Sequence, residues 1–555
     1  MPQLRPVHAS VLGRYARPVV HLRKQVSSSR FGFVFGSGIS DSFNIPTWGA
    51  LVDSLARDRR VGGVRLLRVA PPHTGAPYQT EMLFEHYRKR RYAKIDADQH
   101  HTRRIEYRIG SEWRELVRKY LYADAPQNLR GALTEHPYLK ACLPLIQRAY
   151  MTVTYNFDDF IEQALFLSMT RDQREKSRGY ECVTNPWTQF RRTDSIIYHP
   201  NGVIPQRPME TPSDRLVFSE ASFAEQMMGI FAGDQAGLLN HLSRNTCLLI
   251  GLSLEDETLR SVLAQSARSN PGNYHYYVRF LEDNESLDDD KQHAIRLANF
   301  KVYNLITMFL KAPEIGALVE LINDKFCCED TFKGFAQVNG IDICFRFYLT
   351  GPLGVGKSTT VNHFRSLTIV DEWLEQRPNL LAKHWKKLTD EEKKTADRWI
   401  IRQFRLKNDV LRGDKTGLFM LDRGPLDPLS FTPEEKWRQK ASRLLRGLCP
   451  SKTGWEVQSG HVILLRGDHE ELALRMLLTA REDYSAKELK ENEEKLAKAY
   501  GSAGVTEVDT RGLTASEVAR RVAEIVHLEE YSRASECKLD ERLSLIRTEG
   551  INAGD

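Results

Sequence analysis

The first residues with the types and spacing for chemistry follow the apolar stretch Phe31–Phe35, which is typical of a buried strand. This stretch runs directly into Gly36, Ser37, Gly38 and, two residues on, Ser40. A backbone without Cβ atoms can approach a pyrophosphate closely, as in doubly wound α/β domains. A tight turn is the alternative, and the third glycine of the usual dinucleotide fingerprint is missing. The segment is therefore a candidate cofactor-binding loop.

A second polar pair, Asn156 and Asp158, follows the apolar segment 149–154, which we predict to be a strand. Open α/β sheets place their chemistry at the carboxyl ends of strands, and extended residues two apart share a face. Asp158 is also well placed to cap a helix that begins at Phe160. We expect Asn156 to be catalytic and Asp158 to serve in either role, or in both.

A third candidate, His199, follows the predicted strand Ser195–Tyr198. His199 and Asn201 share a face of the extended chain. Imidazole titrates near neutrality and can take a proton, whereas an amide cannot act as a base. We predict that His199 carries the proton-transfer role and that Asn201 is a hydrogen-bonding neighbour.

The predicted strands Leu216–Ser219 and Thr246–Ile250 come next, and the second gives way to Gly251, Ser253 and Asp256. These three residues are candidates for cofactor binding at a further strand end. Asp256 has an alternative role at the start of the next helix, as its cap.

The second half contains a phosphate-binding motif after the predicted strand Phe345–Thr350. In such loops backbone amides receive phosphates, the lysine reaches the β and γ groups, and the following hydroxyl ligates Mg²⁺. The residues that meet this pattern are Gly351, Gly354, Gly356, Lys357, Ser358 and Thr359. We predict that the loop binds ATP or another nucleoside triphosphate with Mg²⁺, and that Ser358 is a ligand of the metal.

The predicted strand Gly417–Leu421 ends in Asp422 and Arg423. An acid there suits a position in the second coordination sphere of Mg²⁺ or a catalytic base, and no Asn-Lys-x-Asp motif of a GTPase is present. The loop and this strand end resemble the deoxynucleoside and nucleotide kinases, with further strands predicted at 366–371, 461–466 and 505–509. Three further residues have expected roles, with Glu372 receiving substrate and either Arg475 or Arg481 covering the phosphates.

Composition narrows the class of protein. The 555 residues are 27% charged and 41% hydrophobic with a net charge of +6, so a nucleic-acid partner is not expected. No apolar run approaches the ~20 residues of a membrane span. The eight cysteines form no Cys-x-x-Cys pair, which indicates reduced thiols in a cytoplasmic protein and no zinc site.

Four blocks of the first half, in order, resemble the SIR2-like (sirtuin-related) family, which uses NAD. The blocks are 36–40 with 45–48, 154–158, 198–202 and 249–256. The resemblance departs at Asn201, where the family has its histidine. It also lacks the four-cysteine zinc module of protein deacylases, which favours the branch that hydrolyses NAD. SIR2-like domains joined to nucleotide-binding modules resemble bacterial anti-phage proteins, which implies a homo-oligomer with a phage-derived trigger.

The predicted architecture is therefore α/β throughout. A Rossmann-like parallel-sheet SIR2 domain spans 31–325, and a P-loop domain of the nucleotide-kinase type spans 341–555. We expect a frayed or partner-binding basic arm at 1–30, a linker at 326–340, and a charged helical insertion at 81–122 that is solvated or contacts another subunit.

Two functions remain open. In the first, the SIR2-like half hydrolyses NAD and the P-loop half regulates it. In the second, the P-loop half is a working kinase and the SIR2-like half senses a ligand. Protein deacylation is a third alternative, weakened by the missing cysteines.

Overall fold

The computed structural model describes residues 4–71, 74–94, 102–172, 179–184, 195–207, 212–213, 216–233, 235–382, 387–449, 456–478 and 484–550. The chain divides into two compact units. Unit 1 comprises Met1–Val11, Gln25–Ser269 and Tyr274–Cys328, and unit 2 comprises Leu12–Lys24, Asn270–Asn273 and Glu329–Asp555.

Unit 1 is built on a parallel sheet whose seven described strands have the order β3-β4-β2-β1-β5-β6-β7. The strands are β1 (Phe31–Phe35), β2 (Thr152–Thr154), β3 (Tyr180–Val183), β4 (Ser195–Tyr198), β5 (Thr246–Ile250), β6 (His275–Phe280) and β7 (Leu305–Leu310). The two central strands, β1 and β5, are buried at every position, as expected where helices cover both faces of a parallel sheet.

The first 328 residues also contain thirteen described α-helices, most of them between the strands of this sheet. They are α1 (Pro6–Ser27), α2 (Trp48–Arg57), α3 (Val64–Arg68), α4 (Ala76–Tyr92), α5 (Thr102–Leu121), α6 (Leu129–Glu135), α7 (Leu139–Ile146), α8 (Phe160–Ser168), α9 (Glu220–Ala232), α10 (Ala236–Arg244), α11 (Glu257–Ser269), α12 (Asp289–Tyr303) and α13 (Ala312–Ile322). Within the predicted insertion 81–122, the described residues belong to α4, α5 and their flanks.

Unit 2 has a second parallel sheet, in which five described strands have the order β12-β11-β8-β10-β9. The strands are β8 (Cys344–Thr350), β9 (Thr368–Val370), β10 (Gly417–Asp422), β11 (His461–Arg466) and β12 (Val505–Asp509). The helices are α14 (Glu329–Val338), α15 (Lys357–His363), α16 (Asp390–Gly413), α17 (Asp427–Ser430), α18 (Trp437–Leu448), α19 (His469–Leu478), α20 (Ala486–Tyr500), α21 (Ala515–His527) and α22 (Leu539–Glu549).

The α/β class with two parallel sheets is confirmed. The strand predicted at Leu216–Ser219 is wrong. Val217 N donates to Asn201 O of a loop, and Phe218 N donates to the Ser222 hydroxyl at the start of α9, so this segment joins no ladder. The apolar residues of this segment predicted a strand, but they carry no information on where its backbone partners lie.

The N-terminal segment is also different from the frayed arm that its basic composition suggested. Residues 6–27 form α1, with a kink at Tyr15. Side chains at helical spacing, among them Val11, Val19 and Leu22, are fully buried. The apolar stripe therefore decides the structure of this segment, and most of its basic residues lie between the buried positions.

The predicted linker at 326–340 is largely the helix α14, which buries Phe332 and Ala336. Among the described residues, no helix is both long and apolar enough to cross a membrane.

Candidate functional site

The strand order of unit 1 reverses at β1, which pairs with β2 on one side and with β5 on the other. Open α/β sheets bind ligands in the crevice outside the strand ends at such a reversal. The loops after β1 and β5 pack backbone against backbone there. Gly36 N donates to Ile250 O at 3.1 Å, and Gly38 N donates to Gly251 O at 3.0 Å. A Cβ on Gly36 would lie 2.5 Å from Gly251 O, and Gly251 itself has φ +73°. This close approach requires glycine at both strand ends.

Three predicted residues form one hydrogen-bonded chain beside this crevice. Asn156 Nδ2 donates to Ser40 Oγ at 3.0 Å, and the Ser40 hydroxyl is hydrogen-bonded to the Asp158 carboxylate. All three side chains are buried, each less than 8% exposed. The carboxyl ends of β1 and β2 therefore bring an amide, a hydroxyl and a carboxylate together.

Asp158 also fulfils its alternative role. Its Oδ1 accepts from Phe160 N at 3.2 Å, at the start of α8. Burial raises the pKa of Asp158 to about 6, against the opposing hydrogen bond from Ser40. A carboxyl group with this pKa changes charge close to neutrality and can accept a proton there.

His199 lies directly behind Asn156. Its Nδ1 is 3.1 Å from Asn156 O, and its Nε2 is 2.6 Å from Glu162 Oε1. Both ring nitrogens thus face oxygen atoms, and a doubly protonated imidazole would donate to both. Burial opposes that charge, but Glu162 together with Cys182 outweighs it and holds the pKa of His199 well above its ordinary value.

This geometry disfavours the proton-transfer role that the sequence predicted for His199. The ring is fully buried, and a doubly protonated imidazole has no lone pair to accept a proton. His199 instead fixes the backbone at Asn156. Asn201 stands at the position of the family histidine. Its side-chain amide donates to Tyr155 O and accepts from the Gln226 amide, and neither of these hydrogen bonds reaches Asn156.

The other predicted residues of unit 1 are placed differently. Asp256 Oδ1 accepts from the backbone amides of Thr258 and Leu259 at the start of α11, so it caps that helix. Ser253 Oγ accepts from Glu255 N at 3.4 Å, and Ser37 lies exposed in the loop after β1. These three residues are not part of the chain that joins Ser40 to Asp158.

Sequence reasoning missed the residues that hold the glycine loop in place. The Tyr138 hydroxyl donates to Gly38 O at 3.1 Å, and His136 Nε2 lies 2.9 Å from Ile39 O. Burial lowers the pKa of His136, which favours a neutral ring with one donor nitrogen. These residues stand about a hundred positions from the loop in the sequence, so no local signal links them to it.

Unit 2 carries a second candidate site, a cavity of about 500 Å³ around the loop 351–359. The loop connects β8 to α15, with φ +148° at Gly351, +78° at Gly354 and +99° at Gly356. The lining includes Thr359, Glu372, Arg423 and Arg475. Arg481, the other residue expected to cover the phosphates, lies outside the described residues.

The charged groups of this loop are folded inward. Lys357 Nζ donates to Gly351 O at 2.8 Å and to Pro352 O at 2.7 Å, and burial together with Arg423 lowers the pKa of Lys357 to about 7. Ser358 Oγ donates to Asp422 Oδ2 at 2.8 Å. Asp422 Oδ1 is buried and has no hydrogen-bond partner among the described residues. This cluster has both an ammonium group for anions and an unused carboxylate oxygen for a cation.

Arg423 holds the other wall of the cavity. It has φ +72°, an uncommon conformation for a residue with a side chain. Its Nε lies 2.5 Å from Glu372 Oε1, and its Nη1 lies 3.3 Å from Asp427 Oδ2. Sequence reasoning assigned no role to Asp427, nor to Lys407, whose buried ammonium donates to Asp422 O at 2.6 Å. Lys407 comes from α16, with no motif around it.

Comparison with protein families matches residues 151–305 to a SIR2-like domain. The match includes β2 to β6 with Asn156, Asp158 and His199, but not the loop after β1 or any of the second sheet. None of the curated proteins matches the chain. The SIR2-like domain suggests an NAD-related function and is compatible with an enzyme that uses NAD.

Proposed function

We propose that unit 1 hydrolyses NAD⁺ to nicotinamide and ADP-ribose. The observation that carries this proposal is the Ser40, Asn156 and Asp158 chain, which lies beside the glycine crevice at the reversal of strand order. Gly36, Ser37, Gly38 and Ser40 would face the dinucleotide with little steric obstruction, and the SIR2-like match supports NAD as the ligand.

The chemistry needs few groups. Nicotinamide leaves readily because it carries a positive charge that bond cleavage neutralises. The bond between ribose C1′ and the nicotinamide nitrogen breaks, a water oxygen bonds to C1′, and the water proton goes to the Asp158 carboxylate. The Asn156 amide would orient this water or a ribose hydroxyl. The buried carboxylate also stabilises the positive charge that develops on the ribose.

We assign His199 a positioning role in this reaction. Its contact with Asn156 O would keep the Asn156 side chain aimed at the crevice. Gly251, Ser253 and Asp256 remain proposed contacts of the adenosine half. For Asp256 this role would come in addition to its capping of α11.

The test is nicotinamide release by the purified full chain. Asn156→Ala should lower the rate by about 100-fold or more, in the range found for loss of one preorganised donor. Asn284→Ala, at an exposed asparagine of the same unit, is the matched control and should keep the wild-type rate. An Asn156→Ala protein that is folded and fully active would end the proposal.

A second function is favoured by the cavity of unit 2. We propose that Gly351, Gly354, Gly356 and Thr359 surround the phosphates of ATP or another nucleoside triphosphate, with Lys357 toward the β and γ groups. The residues fit Mg²⁺ as well, since Asp422 has an unused buried oxygen and already holds the Ser358 hydroxyl. Mg²⁺ bound there would neutralise phosphate charge, and Arg423 would contact the same anion.

Two readings of this pair of functions separate in one assay. If nucleotide binding regulates NAD cleavage, nicotinamide release should change when ATP or a deoxynucleotide is added, and Asn156→Ala should abolish it. If the chain is a nucleoside or nucleotide kinase with a ligand-sensing SIR2-like domain, phosphate transfer should occur without nicotinamide release. Release of nicotinamide only with an acylated peptide would indicate the third alternative, a deacylase.

We further propose that NAD loss serves anti-phage defence through a homo-oligomer with a phage-derived trigger. This step rests on the resemblance of the domain combination. The measurement is cellular NAD after infection, in cells that produce the wild type or Asn156→Ala. NAD that falls equally in both would contradict it.

A further inference from the structure

A cluster of three metal-binding residue types lies behind the candidate site of unit 1. Glu162 comes from α8, Cys182 from β3, and His199 from the end of β4. One potential ligand atom from each lies within 4.8 Å of the others. Glu162 and His199 are buried, and Cys182 is exposed. Two internal ligands therefore meet one that solvent can reach.

One carboxylate oxygen of this cluster has no use within the fold. Glu162 Oε1 lies against His199 Nε2, but Glu162 Oε2 is buried and has no hydrogen-bond partner in the part of the chain that the structure describes. A buried polar atom left without a partner is unfavourable. A cation bound by the Glu162 carboxylate would satisfy this second oxygen.

The donor set indicates which cation. A thiolate, an imidazole nitrogen and a carboxylate oxygen suit Zn²⁺, whereas Mg²⁺ and Ca²⁺ take oxygen ligands. Bond lengths of roughly 2.0–2.3 Å in a tetrahedron put ligand atoms about 3.2–3.7 Å apart. The His199 to Glu162 pair at 2.6 Å would have to open slightly to admit the ion.

The cluster is open to solvent on the side of Cys182. Cys182 lies on β3, the strand at the edge of the described sheet, and its side chain is exposed. Three protein ligands with access from solvent leave a fourth position for water.

We propose that Glu162, Cys182 and His199 form a Zn²⁺ site with one open coordination position. The ion would displace the Nε2 proton of His199 and the thiol proton of Cys182 into solvent, bind both atoms, and leave the proton on His199 Nδ1. Nδ1 would then still donate to Asn156 O, now 3.1 Å away. Partners of a metal-bound histidine are held in this way in many sites. The ion would therefore stabilise the backbone that carries Asn156.

This site differs from the zinc module that the sequence lacks. The expectation of no zinc rested on the spacing of cysteines along the chain. Spacing detects ligands that share one loop or ribbon, but the three residues here come from three separate elements. A catalytic effect of the ion through Asn156 rests on the proposed NAD cleavage. Binding of the ion by the three side chains does not depend on that function.

The experiment uses the full chain stripped of metal. Zn²⁺ is titrated in competition with a chromophoric chelator, and Co²⁺ is added separately to follow the thiolate-to-cobalt charge-transfer band. We expect one equivalent of Zn²⁺ and a charge-transfer band in the wild type. Cys182→Ser should weaken Zn²⁺ binding by about tenfold or more and remove the band. Cys328→Ser, at another exposed cysteine of unit 1, should bind as the wild type does.

Glu162→Gln is a second variant, and circular dichroism checks that it folds. It keeps a polar group beside His199 but should also weaken Zn²⁺ binding. The proposal is overturned if the wild type shows no saturable binding, or if Cys182→Ser keeps the affinity and the band. Nicotinamide release is measured separately, so an inactive protein that binds Zn²⁺ would contradict the proposed function and not this site.

Discussion

At the scale of single residues, the buried carboxyl of Asp158 is the most informative group of unit 1. Its contacts with Ser40 and with Phe160 N both favour the charged form, yet burial outweighs them. Asp159 and Glu162 lie close enough to add to the same shift. The group is therefore held near the point where it can exchange a proton at physiological pH.

Asp158 should give nicotinamide release a dependence on pH. The carboxylate must be ionised to accept the proton of water, so the rate should rise with pH through about 6, the pKa of Asp158. Asp158→Asn should lower the rate and flatten this limb, while Asp53→Asn at an exposed carboxylate should leave it unchanged. The measurement is the rate of nicotinamide release between about pH 5 and 8, a range that includes the pKa of Asp158. An unchanged acid limb in Asp158→Asn would contradict the assignment.

The same variant should change how stability depends on pH. The pKa of Asp158 rises from 3.8 to about 6 on folding, so its contribution to stability is present below pH 3.8 and is lost as pH rises through 6. The loss is on the order of 3 kcal/mol. Asp158→Asn should therefore gain stability relative to the wild type between pH 4 and pH 7, as measured by urea unfolding at the pH values that bracket this shift. A difference that does not vary with pH would contradict it.

At the scale of elements, the loops after β1 and β5 act as one unit because their backbones are in contact. A Cβ at Gly36 would lie 2.5 Å from Gly251 O and 2.6 Å from Leu252 Cδ2. A backbone oxygen cannot move aside as a side chain can, so the strand ends must separate. The contact between the two loops therefore requires a residue without a Cβ atom at position 36.

Gly36→Ala should lower the free energy of unfolding by about 1–3 kcal/mol, the usual cost of overpacking. The matched control is Gly49→Ala in α2, where a Cβ would meet no atom within 4 Å. The control should be neutral or stabilised by up to about 1 kcal/mol. Thermal unfolding of both variants measures the difference. Equal melting temperatures would show that the two loops do not pack as described.

Helix α1 provides a second test at this scale, because its sequence suggested an arm. Leu22 is fully buried, so Leu22→Ala should cost about 2–5 kcal/mol. Lys24→Ala, at an exposed position of the same helix, should cost much less. The melting temperature is again the measurement. If Leu22→Ala melts as the wild type does, the segment is an arm after all.

At the scale of the whole molecule, the chain has two units that each carry one candidate site. Unit 1 holds the Ser40, Asn156 and Asp158 chain, and unit 2 holds the cavity around Lys357. The proposed regulation requires that a nucleotide bound by unit 2 alters chemistry in unit 1. The effect of a variant in either unit must therefore be measured both on nucleotide binding and on nicotinamide release.

Lys357→Ala should abolish stabilisation by ATP and Mg²⁺, which for the wild type amounts to about 2.7 kcal/mol at 100 times the Kd. Lys415→Ala, at an exposed lysine of the same unit, should behave as the wild type does. In Lys357→Ala we expect nicotinamide release that no longer responds to ATP. Release that still responds to ATP would separate regulation from this loop.

The sequence by itself determined the strands that carry the sites and the glycine loops that follow them. Strands β4, β5, β11 and β12 coincide with their predicted bounds, because runs of apolar and β-branched residues between turn residues leave local patterns. The spacing of the apolar side chains of α1 also indicates a helix, but the basic composition of the segment favoured an arm.

Only the tertiary structure decided the environment of each side chain. His199 looked like a base in the sequence, and Glu162 and the Asn156 carbonyl turn it into a buried donor. The packing of Gly36 on Gly251 and the cluster with Cys182 were equally invisible. Each of these contacts joins elements far apart in the chain, so the chemistry of the residue depends on partners that no local pattern specifies.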